Sequence, residues 1–179
     1  SCPHLMADLT YQQLRKFAMA EKKSMLWSGS MNNDAYSGRC FCGEITFHAA
    51  GEANWTAHCH CESCRRATSS PMTTWISVPR DTFRYTKGEP KYFASSPGVQ
   101  RAFCGNCGAQ LTYEPDVLPD EVHIYAASLD DPIDVRPSRH VFAEEQLPWF
   151  EVHDQLPRYA IGSKGSKPLR IGPKSDSGE

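Results

Sequence analysis

Seven of the eight cysteines in this chain lie in three short groups, which constrain the fold more than any other feature of the sequence. The groups read C-x-C, C-x-C-x-x-C and C-x-x-C, and their members are Cys40 and Cys42, then Cys59, Cys61 and Cys64, then Cys104 and Cys107. Such spacings bring sulfur atoms close enough to share one metal ion. Cys2 lies outside the pattern, and we expect it to be a free thiol.

The composition is that of a folded globular protein, with 40% apolar and 22% charged residues in a chain of 179. A net charge of -2 gives no electrostatic basis for nucleic-acid binding. No run of 18 apolar residues is present, so we expect no membrane span. The N-terminus lacks the basic start and apolar core of a secretory signal. We therefore expect a cytoplasmic protein, in which clustered cysteines serve as metal ligands or catalysts rather than as disulfides.

Composition divides the chain into three parts. Residues 1–34 are expected to form a helical extension with a rough apolar stripe, or a segment added to a natural chain that starts at Met31. Residues 35–160 are expected to form the zinc-binding domain. Residues 161–179 are rich in Gly, Ser, Lys and Pro, which predicts a flexible tail.

The central part is predicted to be mainly β, with small antiparallel sheets built around a four-cysteine zinc site. Short β-like runs, several of them alternating, are separated by turn residues at 44–50, 54–58, 72–78, 82–86, 99–103, 109–114 and 121–127. This spacing favours a compact antiparallel fold over alternating βαβ units.

The first and last cysteine groups are predicted to form one structural zinc site. A glycine follows each cysteine of Cys104-Gly105-Asn106-Cys107-Gly108, which lets the backbone turn with φ > 0 and direct amide groups at the sulfurs. Such a knuckle supplies two thiolates, and Cys40 and Cys42 supply two more from one face of an extended segment. The alternatives are a pair of disulfides or free buried thiols.

The middle group is left with three thiols, which is the protein ligand set of an open, catalytic zinc site. His58, His60 or Glu62 could close it, but alternation in an extended segment points both histidines away from Cys59 and Cys61. A helical turn that begins near Cys61 would bring Cys64 back to the others. A metal-free dithiol of Cys61 and Cys64 is the remaining alternative.

Charge counting indicates what such an ion can do. Zinc with three thiolates has a formal charge of -1, so it activates water poorly compared with a three-histidine site. It still ionises a coordinated thiol and leaves that sulfur nucleophilic. The cluster therefore favours a small thiol that attacks an electrophile such as an aldehyde.

Together the motifs Cys40-x-Cys42-Gly43, Cys59-His60-Cys61-x-x-Cys64-Arg65 and Phe103-Cys104-x-x-Cys107-Gly108 resemble the glutathione-dependent formaldehyde-activating enzyme family, which includes centromere protein V. The segments from Ser128 to His140 and from Leu147 to Tyr159 also resemble it, so the likeness covers about residues 36–159. The chain departs from the family's pattern at Ser69-Ser70-Pro71, where a glycine is frequent.

The resemblance implies a β-rich fold with two zinc ions per chain, one structural and one near the substrate. It also implies a carbon–sulfur lyase resembling S-(hydroxymethyl)glutathione synthase, with a thiol such as glutathione and a small aldehyde such as formaldehyde as partners. Arg65 and Arg66 could clamp the carboxylates of glutathione, or form a solvated helix face. A zinc-stabilised binding module without catalysis, such as a glutathione carrier or a protein-interaction domain, is the alternative function.

A few other residues have two interpretations. Trp75, Trp149 and Phe150 could form a pocket wall, but aromatic residues in β-rich cores usually serve packing. His140 lies in a family-like segment and is expected to be a hydrogen-bonded structural histidine rather than a site residue. The sequence leaves the oligomeric state open.

Overall fold

A computed structural model describes residues 35–173, and the predicted N-terminal helix lies outside these residues. The described range contains one α-helix, α1 (Glu62–Thr68). Single 3-10 turns lie at Arg80–Thr82, Ala126–Ser128, Pro132–Asp134 and Ala143–Glu145. The strands are β1 Ala35–Arg39, β2 Thr46–Ala50, β3 Trp55–Cys59, β4 Thr73–Pro79, β5 Phe83–Lys87, β6 Lys91–Ser96, β7 Val99–Phe103, β8 Gln110–Pro115, β9 Glu121–Tyr125, β10 His140–Val141, β11 Pro157–Arg158 and β12 Arg170–Ile171.

The strands form two sheets, which confirms the prediction of a mainly β fold. The smaller sheet has the order β1-β2-β5, and the larger has the order β12-β11-β10-β3-β4-β9-β8-β7-β6. Most pairs are antiparallel, as predicted. The short strand β10 is the difference, because it pairs in parallel with both β3 and β11.

The sequence pattern of each strand follows its place in the sheets. In β2, Phe47 and Ala49 are buried while Thr46 and His48 are not, as alternation over a half-buried sheet requires. In β4 the four residues from Trp75 to Val78 are all buried, since this strand lies inside the larger sheet and is covered on both faces.

One core joins the two sheets. Phe47 from the smaller sheet and Ile45 just before its strand β2 lie in the same buried cluster as Val78, Leu111 and Ile124 from the larger sheet. A second, smaller cluster contains Cys59, Cys64, Trp75 and Tyr125. The second cluster places the middle cysteine group against aromatic side chains rather than in the main core.

The aromatic residues weighed in the sequence differ in burial. Trp75 is buried, whereas Trp149 is 70% exposed, so Trp149 does not serve core packing as expected. Its ring contacts Phe150 edge-on, with centroids 6.4 Å apart, and Phe150 is half-buried. Among the described residues, no helix is long and apolar enough to cross a membrane.

The segment from residue 161 contains more order than the predicted flexible tail. Strand β12 pairs with β11, with Pro157 opposite Ile171 and Arg158 opposite Arg170. Leu169 donates its backbone N–H to the carbonyl of Arg158 at 2.7 Å. The chain therefore returns to the edge of the larger sheet before residue 173.

The close approach of β1 to β2 and to the turn at Ser128 gives a test of the packing. A Cβ added to Gly38 would lie 2.5 Å from the Ser128 carbonyl oxygen and would clash with the Phe47 ring. We expect Gly38→Ala to lower the free energy of unfolding by about 1–3 kcal/mol, because backbone and a fully buried ring must move. Urea unfolding measures this change in the free energy of unfolding. Gly162→Ala is the control, since nothing lies within 4 Å of the added methyl group; equal stabilities of the two variants would contradict the packing.

Candidate metal centres and the cavity beside them

The first candidate centre is the four-thiol cluster of Cys40, Cys42, Cys104 and Cys107. The loop between β1 and β2 carries the first pair, and the loop between β7 and β8 carries the second. The Cys40 and Cys42 sulfurs lie 3.5 Å apart, the Cys42 and Cys104 sulfurs lie 3.8 Å apart, and all four lie within 4.8 Å of one another. Tetrahedral zinc with Zn–S bonds of about 2.3 Å requires sulfurs about 3.8 Å apart. The donor set therefore fits a closed zinc site.

Both loops turn in the same way around their sulfurs. Gly108 has φ of +74°, as the knuckle interpretation predicts, and Gly43 has the same φ. Each closes a turn, with Gly43 N–H donating to the Cys40 carbonyl at 3.1 Å and Gly108 N–H to the Cys104 carbonyl at 2.9 Å. Gly105 differs from the expectation, because it does not have φ > 0; a side chain there would instead collide with Lys91.

Backbone amides also reach the sulfurs. The Ile45 N–H donates to the Cys40 sulfur at 3.3 Å. Burial alone would raise the pKa of Cys107, but hydrogen bonds from the backbone of Ala109 and Cys42 lower that pKa to about 6. Such amides stabilise thiolate ligands, which is the pattern of a metal knuckle rather than of an apolar core.

The second candidate centre is the three-thiol cluster of Cys59, Cys61 and Cys64. Cys59 ends β3, Cys61 caps α1 by accepting the Cys64 N–H at 3.3 Å, and Cys64 lies one turn into the helix. The three sulfurs lie within 4.8 Å of one another, and all three thiols are free. The helical turn predicted to return Cys64 to the others is present.

The three thiols perturb one another's ionisation. Hydrogen bonds from Cys59 and Cys64 lower the pKa of Cys61, and the neighbouring Cys61 and Cys64 raise the pKa of Cys59. A divalent ion would bind the thiolate forms, because the thiolate is the metal-binding form. The donor set therefore fits a zinc ion with one open position.

The two neighbouring histidines point away from the sulfurs, as alternation predicts. His60 Nε2 lies 2.8 Å from His140 Nδ1, and His140 Nε2 lies 2.9 Å from Asp154 Oδ2. Because the Asp154 carboxylate accepts, His140 donates to it and in turn accepts from His60. Arg158 completes the row with an ion pair to Asp154 at 3.1 Å. His140 is thus hydrogen-bonded and fully buried.

His58 lies next to this row, with its Nδ1 2.9 Å from Thr74 Oγ1. Burial lowers the pKa of both His58 and His60 to about 4, so both rings are neutral at pH 7. His58, His140 and Asp154 also lie close enough to share an ion. Their polar atoms already pair with one another, with Thr74 and with Arg158, so the row explains the grouping without an ion.

Arg101, which the sequence analysis did not single out, lies beside the three-thiol cluster. Its side chain is buried and donates to Tyr125 Oη at 2.7 Å, Ser63 Oγ at 3.1 Å and Ser95 Oγ at 3.2 Å. Its guanidinium also lies over the Tyr113 ring, 4.8 Å from the centroid.

All the hydrogen-bond acceptors of Arg101 are neutral hydroxyl groups. Among residues 35–173, no carboxylate lies within ion-pair distance of it. Burial alone would lower the pKa of Arg101, but the neighbouring Tyr125 and Cys64 raise it. Of the three cysteines, Cys64 is the one whose thiolate form would balance this buried charge. The sequence feature that could have identified Arg101 is the presence of an arginine inside the predicted strand that leads to Cys104.

One large cavity opens onto the three-thiol cluster. Its volume is about 1310 Å³, and the end at the sulfurs is lined by Cys59, Cys61, Cys64, Trp75, Arg101 and Tyr113. The cavity is therefore bounded there by thiols, by aromatic rings and by one buried cation. The four-thiol cluster does not line it.

The predicted clamp of Arg65 and Arg66 is not placed at this cavity. Arg65 Nε donates to the His60 carbonyl at 2.9 Å, and Arg66 forms an exposed ion pair with Glu62 at 2.8 Å. Neither residue lines the cavity. Both side chains hold partners in or next to α1, and their role toward glutathione stays a prediction.

The buried charge of Arg101 should affect how tightly the three-thiol cluster binds zinc. We expect Arg101→Met to weaken zinc binding at the three-thiol cluster about 10- to 100-fold, since three thiolates then lose their balancing cation. Chelator competition measures this affinity, and Arg101→Lys should recover part of it. The control is Arg84→Met, which removes the same charge from an exposed position of β5. Equal zinc affinities in the wild type and in Arg101→Met would contradict the role of this charge.

Comparisons with known proteins agree with the resemblance noted in the sequence. Residues 35–145 match the glutathione-dependent formaldehyde-activating enzyme family. A Schizosaccharomyces pombe protein named an uncharacterized lyase is 36% identical over 78 residues, which are 44% of this chain and 56% of that protein. The matched part thus spans about half of that relative.

A solved structure of a Rhodobacter sphaeroides protein, a structural genomics target, is also similar. The two chains align with a TM-score of 0.46 and 20% identity, covering 56% of this chain and 91% of the other. The family match covers more than half of the 179 residues and includes all three cysteine groups. The chain therefore belongs to the glutathione-dependent formaldehyde-activating enzyme family.

Proposed function

We propose that this protein is a zinc-dependent carbon–sulfur lyase that joins a thiol, glutathione, to formaldehyde or a related small aldehyde. The observation that carries the proposal is the contrast between two thiol clusters. One cluster has four thiols, which are enough ligands to close a zinc site. The other cluster, Cys59, Cys61 and Cys64, has only three thiols and faces a cavity. Family membership and the lyase-named relative support the same assignment.

Cys59, Cys61 and Cys64 would hold the catalytic zinc, and Cys40, Cys42, Cys104 and Cys107 the structural one. A zinc ion with three thiolates would leave one position open and would ionise a thiol that enters it. In the proposed addition, the substrate sulfur forms a bond to the aldehyde carbon and the C=O π bond breaks. The thiol proton ends on the oxygen that becomes the hydroxyl group.

Arg101 is proposed to support this chemistry through its fixed charge. Three thiolates around a divalent ion carry a net charge of -1, and a substrate thiolate adds another negative charge. A guanidinium buried beside Cys64 offsets this charge more strongly than an exposed one would, because water screens it less. Its hydrogen bonds to Tyr125, Ser63 and Ser95 hold it in place.

Trp75 and Tyr113 are proposed to limit water at the reacting sulfur. Trp75 is buried between Tyr113 and Tyr125, with ring centroids 5.7 Å and 4.1 Å away. A wall of aromatic rings fits a small aldehyde, which needs no charged pocket of its own. It also disfavours the solvation of a nucleophilic sulfur.

Exchange NMR with glutathione and formaldehyde tests the proposal. We expect the zinc-loaded protein to accelerate formation of the S-hydroxymethyl adduct above the spontaneous rate, and Cys61→Ser to return the rate to the spontaneous level. Cys61→Ser should keep its four-thiol zinc and its fold, because the four-thiol cluster lies outside the cavity.

The outcomes separate enzyme from carrier. Acceleration by the wild type that depends on Cys61 supports the lyase. Glutathione binding without any acceleration would overturn the lyase assignment in favour of a glutathione carrier. Unfolding of Cys61→Ser, seen by circular dichroism, would instead assign a structural role to the three-thiol cluster.

A further inference from the structure

The end of the cavity away from the sulfurs contains an anchored carboxylate. Glu121 Oε2 accepts three hydrogen bonds, from Ser77 Oγ at 2.7 Å, Trp55 Nε1 at 2.9 Å and His123 Nε2 at 3.1 Å. Ser77 is fully buried and His123 is buried. The side chain of Glu121 is therefore held in one orientation by its neighbours in β3, β4 and β9.

The second carboxylate oxygen of Glu121 is uncommitted. Within residues 35–173, no hydrogen bond reaches Oε1, and the side chain lines the cavity. Burial alone would raise the pKa of Glu121, but the hydrogen bonds from Ser77, Trp55 and His123 lower it. A carboxylate held by three donors, with one oxygen free toward a cavity, is prepared to accept from a cation.

A second charged side chain, Arg139, also lies against Trp55. The guanidinium of Arg139 lies over the Trp55 ring, 6.0 Å from its centroid, and Arg139 also lines the cavity. Among the described residues its side chain has neither an ion pair nor a hydrogen bond. Trp55 thus contacts both an available negative group and an available positive group.

Strand β3 connects this pair to the three-thiol cluster. Trp55, Ala57 and Cys59 alternate along one face of the strand, and all three line the cavity. Four residues of strand span about 13 Å. A ligand with its sulfur at Cys59 would therefore reach Glu121 and Arg139 with a group on the order of 10 Å from that sulfur.

The chemistry that fits both charges at once is an α-amino-acid head group, whose ammonium and carboxylate share one carbon. We propose that Glu121 and Arg139 form a second subsite beside Trp55, which binds the free α-amino-acid head of the substrate thiol. Glu121 Oε1 accepts from the ammonium group, and Arg139 donates to the carboxylate. The identification of the sulfur end of this ligand rests on the proposed function; glutathione carries such a head in its γ-linked glutamate.

Calorimetric titration of zinc-loaded protein with two thiols, in the absence of aldehyde, tests the subsite. Glutathione carries the head group and 2-mercaptoethanol lacks it. We expect Glu121→Gln and Arg139→Gln each to weaken glutathione binding about 10-fold or more, because each removes one charged hydrogen bond. Neither variant should change the affinity for 2-mercaptoethanol. Asp120→Asn is the matched control, since it removes the same charge as Glu121→Gln from an exposed residue at the cavity.

The subsite requires a glutathione-selective loss in both variants, so a loss in only one of them would overturn it. Equal loss of affinity for both thiols, or an equal loss in Asp120→Asn, would overturn the subsite and assign the effect to folding or to general charge. Glu121→Gln could fail to fold, because Glu121 accepts three hydrogen bonds. Arg139→Gln still tests the subsite in that case, because the Arg139 side chain forms no hydrogen bond to another described residue. The titration contains no aldehyde, so its result does not depend on whether the protein is a lyase. Unchanged glutathione affinity in both variants would overturn the subsite and leave the proposed lyase activity untouched.

Discussion

The four-thiol cluster is the constraint on which the rest of this structure depends. It joins a loop of the smaller sheet to a loop of the larger sheet, and Cys42 and Cys104 within it are separated by 62 residues. Ile45 in the first loop and Leu111 just after the second belong to the core that the two sheets share. A metal ion that fixes the loops would fix the relative position of the sheets, since binding to a folded site stabilises the fold. The strands β3, β4 and β9, which build the cavity, are then held in register.

The three-thiol cluster differs from the four-thiol cluster in its surroundings as well as in its number of thiols. Its sulfurs lie in a separate buried cluster with Trp75 and Tyr125, face a cavity, and have a buried guanidinium as neighbour. Charge balance links these features. A zinc ion held by three thiolates would be anionic and would require compensation, which Arg101 would provide without a competing carboxylate. The face of β3 that carries Cys59 also carries Trp55, so the proposed sulfur site and the proposed head-group subsite line one cavity.

Local patterns in the sequence predicted much of this arrangement. The runs at 44–50, 72–78 and 121–127 overlap β2, β4 and β9, because alternation and β-branched residues identify half-buried and buried strands. The grouping of the cysteines predicted which sulfurs meet, since metal-ligand spacing is local within each pair. The short strand β10 was missed, because two residues carry no periodic pattern. Arg101 and Glu121 were missed as site residues, since their partners lie far away in sequence, Ser63 being 38 residues from Arg101 and Trp55 66 residues from Glu121.

Zinc X-ray absorption together with a zinc count on the purified protein tests whether the chain binds two zinc ions in two different thiol sites. We expect two zinc ions per chain with an average of about 3.5 sulfur ligands each, and four sulfurs around the single zinc that remains in Cys61→Ser. A single zinc in the wild-type chain would rule out this arrangement. So would an imidazole ligand from His60, which the structure pairs with His140 instead.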